Sequence, residues 1–167
     1  MKLLFISLGC DKNLVDSEEM LGMLAADGHE IVDDEDEAEV IIVNTCCFIG
    51  DAKEESVNTI LEMAEKKKAG TCKVLIVTGC MAQRYKKEIS EEIPEVDAIL
   101  GTTSYGDISK AVKEAQAGRH FEEYKSIDFL PDISGKRMLT TGGHFAYLKI
   151  AEGCDKHCTY CIIPKLR

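Results

Sequence analysis

Short apolar runs alternate with segments of helical period along most of the chain, the pattern of a parallel sheet with crossover helices. Lys2 to Leu8, Val40 to Val43 and Lys73 to Thr78 read as buried strands, with Ile31-Val32 and Ala98-Ile99-Leu100 as shorter ones. Between them, Leu14 to Ala26 places Met20, Leu21 and Leu24 on one side. The next segment sets Val57, Ile60, Leu61 and Ala64 at i, i+3, i+4 and i+7, and both read as amphipathic helices. Asp51 with Glu54 three residues on forms the sequence of a capping box for the second. A further helix is expected over Asp107 to Ala117, with Ile108, Ala111, Val112 and Ala115 inward and Gly118 as its stop. The expected fold class is therefore α/β, an open and mainly parallel sheet with flanking helices.

The three main runs share a layout that hydropathy alone does not show. Leu4-Phe-Ile-Ser-Leu-Gly-Cys10, Val40-Ile-Ile-Val-Asn-Thr-Cys46 and Val74-Leu-Ile-Val-Thr-Gly-Cys80 each run from an apolar strand through two small or polar residues to a cysteine. In an open parallel sheet the carboxyl ends of the strands lie along one edge, where ligands bind. Cys10, Cys46 and Cys80 should converge there. The glycines at 9 and 79 would let backbone come close to a bulky ligand, and the following helices would aim their positive ends at it. A single free cysteine is most often a small buried apolar residue, but three at equivalent strand ends suggest a cluster with one iron left free. Cys47 should point away from its neighbour, yet could replace Cys46 if the turn differs. Cys72 sits at the wrong end of its strand.

A second constellation stands in Glu152-Gly-Cys-Asp-Lys-His-Cys-Thr-Tyr-Cys161. Cys154, Cys158 and Cys161 have the spacing Cys-x3-Cys-x2-Cys, which can wrap one cubane and serve three of its four irons. An open coordination position marks a reactive metal site rather than a structural one. Cys158 and Cys161 could instead form a redox dithiol or half of a zinc knuckle with His157. A zinc site would want a second ligand pair close by, and a dithiol would not need Cys154.

Composition narrows the setting. The chain has 167 residues, eight cysteines and a net charge of -10. Met1 to Cys10 faintly imitates a secretion signal, but its apolar run is too short, and no segment approaches the ~20 apolar residues of a membrane span. Eight cysteines without an export signal point to a reducing, cytoplasmic setting and to metal rather than disulfides. Charge is uneven: residues 1 to 117 hold 12 basic and 24 acidic side chains, against 8 and 6 in residues 118 to 167. The acidic part is poorly placed to bind nucleic acid; a basic protein partner suits it better. The run Asp33 to Glu37 reads as a solvated loop.

Four ordered motifs carry a family resemblance. Ser7-Leu-Gly-Cys-Asp-Lys-Asn-Leu-Val-Asp-Ser-Glu18, Asn44-Thr-Cys46, Thr78-Gly-Cys-Met-Ala-Gln-Arg84 and Glu152 to Cys161 resemble the methylthiotransferases, radical S-adenosylmethionine (SAM) enzymes that insert a methylthio group at an unactivated carbon. The resemblance implies an auxiliary 4Fe-4S cluster on Cys10, Cys46 and Cys80, and a 4Fe-4S cluster on Cys154, Cys158 and Cys161 whose free iron takes SAM. It implies that SAM cleavage yields a 5'-deoxyadenosyl radical, that this radical takes a hydrogen from the target carbon, and that sulfur is delivered from the auxiliary site. Asp11-Lys-Asn-Leu-Val-Asp-Ser-Glu18 and Ile162-Ile-Pro-Lys-Leu-Arg167 are similar to the branch that modifies an aspartate of small-subunit ribosomal protein twelve; the tRNA-modifying members usually carry glutamine-methionine-asparagine after the first cysteine. Cys47 stands where the family commonly has glycine. An electron donor such as flavodoxin or ferredoxin is implied as well.

The resemblance also sets the expected organisation: residues 1–117 as a flavodoxin-like methylthiotransferase amino-terminal domain, 118–144 as a linker, and 145–167 as the start of a truncated radical SAM (β/α) barrel, with Phe145 to Ile150 its first strand. Such a fragment would not turn over, and the stretch from Gly118 onward is expected to be loosely held. Asp16, Ser17 and Glu18 should either cap the first helix or touch substrate. A tRNA adenosine methylthiotransferase, and a metal-free flavodoxin-like binding module, are the alternative functions; no Gly-x-Gly-x-x-Gly or Walker-type loop supports a nucleotide site in the latter.

Overall fold

Six parallel strands form one open sheet in the order β2-β1-β3-β4-β5-β6 in the computed structural model, which describes residues 1–130, 135 and 137–167. The strands are β1 (Lys2–Ser7), β2 (Glu30–Ile31), β3 (Val40–Thr45), β4 (Val74–Gly79), β5 (Ala98–Leu100) and β6 (Phe121–Glu123). The helices are α1 (Asp11–Ala26), α2 (Gly50–Lys68), α3 (Cys80–Arg84), α4 (Lys86–Glu92), α5 (Ile108–Gln116) and the short α6 (Ile163–Leu166). The direction of winding reverses between β1 and β3, so their carboxyl ends flank the crevice where such sheets place ligands.

Every residue of β3 and β4 is buried because helices cover both faces of the sheet. Ile41, Val43, Leu75 and Val77 pack with Ile60 and Met63 of α2. Val40, Ile42, Val74 and Ile76 pack on the other face with Met20 and Leu24 of α1 and Ile108 and Val112 of α5. Leu3↔Val40, Val40↔Val74 and Ile76↔Ala98 set a continuous register, which fixes the relative height of the strand ends.

Several local expectations are corrected. Helix α1 starts at Asp11, a turn before the apolar period begins at Leu14, with Cys10 as its N-cap. The Asp51/Glu54 box does not form: α2 begins at Gly50, Ile49 occupies the cap position, and Asp51 lies inside the first turn, where its charge still suits the helix dipole. Leu61 is exposed, and Met63 with Ala64 completes the buried face. Ile60→Ala should therefore destabilise the fold by about 2–5 kcal/mol, whereas Leu61→Lys should fall within about 0.5 kcal/mol of the parent in urea unfolding. Gly118, at φ 71°, does end α5, its N-H reaching Ala115 O at 3.0 Å.

Within residues 118–144, β6 adds a sixth strand, pairing Phe121↔Ala98 and Glu123↔Leu100. Residues 131–134 and 136 of that stretch lie outside the described residues. Phe145 to Ile150 is not a strand. Among the described residues it pairs with no strand, and side-chain contacts hold it instead, Arg137 to the Tyr147 carbonyl and Lys149 to Asp16 among them.

Candidate metal centre

Cys10, Cys46 and Cys80 line one cleft of about 1050 Å³ at the carboxyl edge of the sheet. Each is placed by the end of its strand. Cys10 follows β1 and caps α1, Cys46 leaves β3, and Cys80 opens α3. The turns are tight: Gly9 has φ +98°, and a Cβ there would stand 2.7 Å from Cys46 Cβ. Gly79, at φ +95°, packs against Asn44 and Thr45. Only glycine admits both the conformation and the approach.

A buried polar network braces the thiols from below. Asn13, fully buried, donates from Nδ2 to Leu8 O and to Thr45 O, both at 2.9 Å, tying the ends of β1 and β3 together. Its Oδ1 lies 3.9 Å from Cys80 Sγ. Asn44 Nδ2 donates to Asn13 O and Ser17 Oγ, and Ser7 and Ser17 hydroxyls meet at 2.7 Å. Ser56 of α2 clasps the backbone of Cys46, accepting from its N-H at 3.0 Å and donating to its carbonyl at 2.8 Å. Thr45 Oγ1 donates to Thr78 O at 2.6 Å, joining the second and third strand ends. Polar groups so buried must be paired; the Asn13 and Thr45 bonds fix cysteine-bearing turns relative to one another, and Ser56 fixes the Cys46 turn to α2.

The other two amino-terminal cysteines stand apart from that wall. Cys47 is buried in the core beneath α2, and burial pushes its thiol up to about 11, helped by the neighbouring Cys80. Cys72 lies at the opposite end of β4, its Sγ 3.0 Å from Val74 O, with its pKa likewise raised by burial. Burial also raises the Cys80 pKa, opposed by the adjacent Arg167 guanidinium.

Of the second constellation, Cys154 joins the cleft wall, whereas Cys158 and Cys161 do not line it. Cys154 and Cys158 are exposed and Cys161 is half-buried, with its N-H 3.1 Å from Cys158 O. Phe48 and Ile49, both exposed, form an apolar rim of the cleft, and Lys12, Asp51 and Glu55 add charge. Among the described residues no three His, Cys, Asp or Glu side chains gather closely enough to hold a single metal ion. The thiols instead surround a space.

Asp16, Ser17 and Glu18 neither cap α1 nor face the cleft. They lie in its second turn, all buried. Asp16 pairs with Lys149 at 2.5 Å and with Arg167 at 2.6 Å. Glu18 pairs with Arg137 and accepts from Thr140 N at 2.7 Å. Burial works against its charge, but these donors win and hold its carboxyl below the usual range. The stretch expected to be loose is thus tied to α1. Sequence reasoning missed Arg167 and Asn13 as parts of this centre; both stand in the quoted motifs, but Asn13 precedes the helix as first read and Arg167 lies far along the chain.

The uncharacterized protein family UPF0004 matches residues 2–101, and the chain belongs to that family. Proteins named ribosomal protein uS12 methylthiotransferase RimO match the whole length: 64% identical in Lachnoclostridium phytofermentans, 52% in Clostridioides difficile and 50% in Trichlorobacter lovleyi. The matches cover 99–100% of this chain but only 37–38% of those relatives. The resemblance to the methylthiotransferases, and to the ribosomal-protein branch of them, therefore extends over the whole of this chain. Among the described residues no helix is long and apolar enough to cross a membrane.

Proposed function

We propose that this chain supplies the auxiliary-cluster domain and the SAM-cluster motif of a cytoplasmic radical SAM methylthiotransferase that adds a methylthio group to the β-carbon of an aspartate in ribosomal protein uS12. The observation that carries the proposal is the convergence of Cys10, Cys46 and Cys80, from three successive strand ends, on one cleft at the switch point of the sheet. Soft thiolate donors select iron-sulfur clusters over hard cations, and thiols spread around a space suit a cluster several atoms wide better than one ion. Cys154, Cys158 and Cys161 would hold the second 4Fe-4S cluster. When bound, the two clusters would supply the electron that cleaves SAM and the site from which sulfur is transferred.

The protein's own contribution is position and electrostatics. Gly9 and Gly79 let backbone close on the cleft, the Asn13 network fixes the three turns, and Phe48 with Ile49 gives it an apolar rim. Charge supports a protein substrate: with 24 acidic side chains against 12 basic in residues 1–117, the domain repels tRNA and suits a basic ribosomal protein.

Two measurements test this. In the anaerobically reconstituted chain, adding SAM should alter the EPR signal of the reduced Cys154–Cys158–Cys161 cluster, and Cys154→Ala/Cys158→Ala/Cys161→Ala should abolish that response. The full-length gene product, given uS12 and tRNA in parallel, should place the methylthio group on uS12. Modification of tRNA alone would transfer the assignment to the tRNA enzymes.

A further inference from the structure

We propose that Asp16 and Glu18 of α1 are positioning residues that hold the Cys154–Cys161 loop at the cysteine cleft. The inference rests on the metal reading of the two cysteine sets, but its first test does not.

Both side chains are buried, Asp16 at 4% and Glu18 at 0% exposure, and each is satisfied by groups more than a hundred residues away in sequence. Glu18 receives Arg137 Nε at 2.7 Å, with Thr140 N at 2.7 Å and Thr140 Oγ1 at 2.9 Å, while its backbone carbonyl accepts from Met138 N at 2.9 Å. Asp16 receives Lys149 on one oxygen and Arg167 on the other. These partners bracket the loop: Arg137, Thr140 and Lys149 precede it and Arg167 follows it. Glu152, two residues before Cys154, bridges the same two cations, at 2.6 Å to Lys149 and 3.3 Å to Arg167, and its carbonyl accepts from Lys12 Nζ at 3.1 Å. Thr102 Oγ1 fixes Leu166 O at 2.6 Å on the far side. The base of the loop is thus clamped at both ends, with Cys154 on the cleft wall beside Cys10, Cys46 and Cys80.

Such a clamp is poor value as stability alone. Buried ion pairs are often matched by apolar residues of similar size, whereas removing one partner leaves a buried charge at heavy cost. An arrangement of this kind is suited to fixing one geometry, and the geometry it fixes is the approach of the SAM motif to the auxiliary site.

Hydrogen exchange on the 167-residue chain without metal tests the clamp. Glu18→Ala and Arg137→Ala should each speed exchange of the Met138 and Thr140 amides by about a hundredfold, with β3 and β4 protection unchanged. Arg137→Lys, which keeps the charge, should retain most of that protection. Arg137→Ala lies on the tethered segment, so its result stands even if Glu18→Ala does not fold. In the reconstituted chain, Asp16→Ala and Arg137→Ala should lower the magnetic coupling between the two reduced clusters while iron and sulfide content stays at the parent level. Unchanged amide exchange, or unchanged coupling at full iron content, overturns the proposal. If exchange responds as expected but the parent chain takes up no iron, the clamp stands as a tether and the metal reading fails by itself.

Discussion

Replacing Cys10, Cys46 and Cys80 together by alanine is expected to remove about half of the iron and acid-labile sulfide from the reconstituted chain, leaving one cluster of two. The surviving EPR signal should be the one that responds to SAM. The expectation follows from the placement of the three thiols on one cleft that neither Cys47 nor Cys72 lines. Cys47→Ala and Cys72→Ala should accordingly keep full iron content, losing only a little packing. The fold should tolerate the triple change: Cys10 is exposed, and Cys46 and Cys80, though buried, also border the cleft, so the packing lost is chiefly that of Cys80 in the core against α2. Full iron content in the triple variant would reduce the domain to an α/β module attached to a single SAM-type motif. Loss of iron in Cys47→Ala would instead make Cys47 the ligand in place of Cys46.

Much of this architecture was legible because the sheet is buried on both faces. Continuous apolar runs at Lys2, Val40 and Lys73 could only be central parallel strands, and the cysteine after each then had to lie on the same edge. The terminal β6 was not legible, since Phe121-Glu-Glu123 has neither length nor apolar content and pairs only because β5 offers an open edge. The start of α1 was misplaced for a related reason: its first turn is polar, and Cys10 caps it by backbone conformation without a side-chain hydrogen bond. Leu61 was assigned inward on period alone, although Met63 in the same turn is the residue that reaches the core.

The clamp was the least readable part. Asp16, Ser17 and Glu18 read equally as caps of the first helix or as substrate contacts, because acidic and hydroxyl side chains near a helix start commonly cap it. The partners of the two carboxylates lie between 119 and 151 positions further along the chain, and no local pattern encodes that pairing. Charge did hint at it. The amino-terminal part is strongly acidic and the remainder mildly basic, and the structure realises that asymmetry as contacts of α1 with Arg137, Lys149 and Arg167.

Gly79→Ala should be the most damaging single substitution near the site, lowering stability by roughly 3–5 kcal/mol. Two costs combine. At φ +95° a side chain is strained by about 1–2 kcal/mol wherever it stands. At this position the added Cβ would also meet Asn44 Oδ1 at 2.3 Å, Thr45 O at 2.5 Å and Thr45 N at 2.9 Å. Asn44 could rotate aside only by giving up its bonds to Asn13 and Ser17, and the Thr45 backbone is held in the ladder by its pairing with Gly79 itself. The strand ends would have to part, carrying Cys46 away from Cys80. Gly28→Ala separates the two contributions, because Gly28 has φ +87° but nothing within 4 Å of its new Cβ; it should cost about 1–2 kcal/mol and leave iron uptake intact. Urea midpoints and iron content measured on the pair decide the matter. If Gly79→Ala behaved like Gly28→Ala in both, the close packing of the β3 and β4 ends would not be what sets the distance between the second and third cysteines.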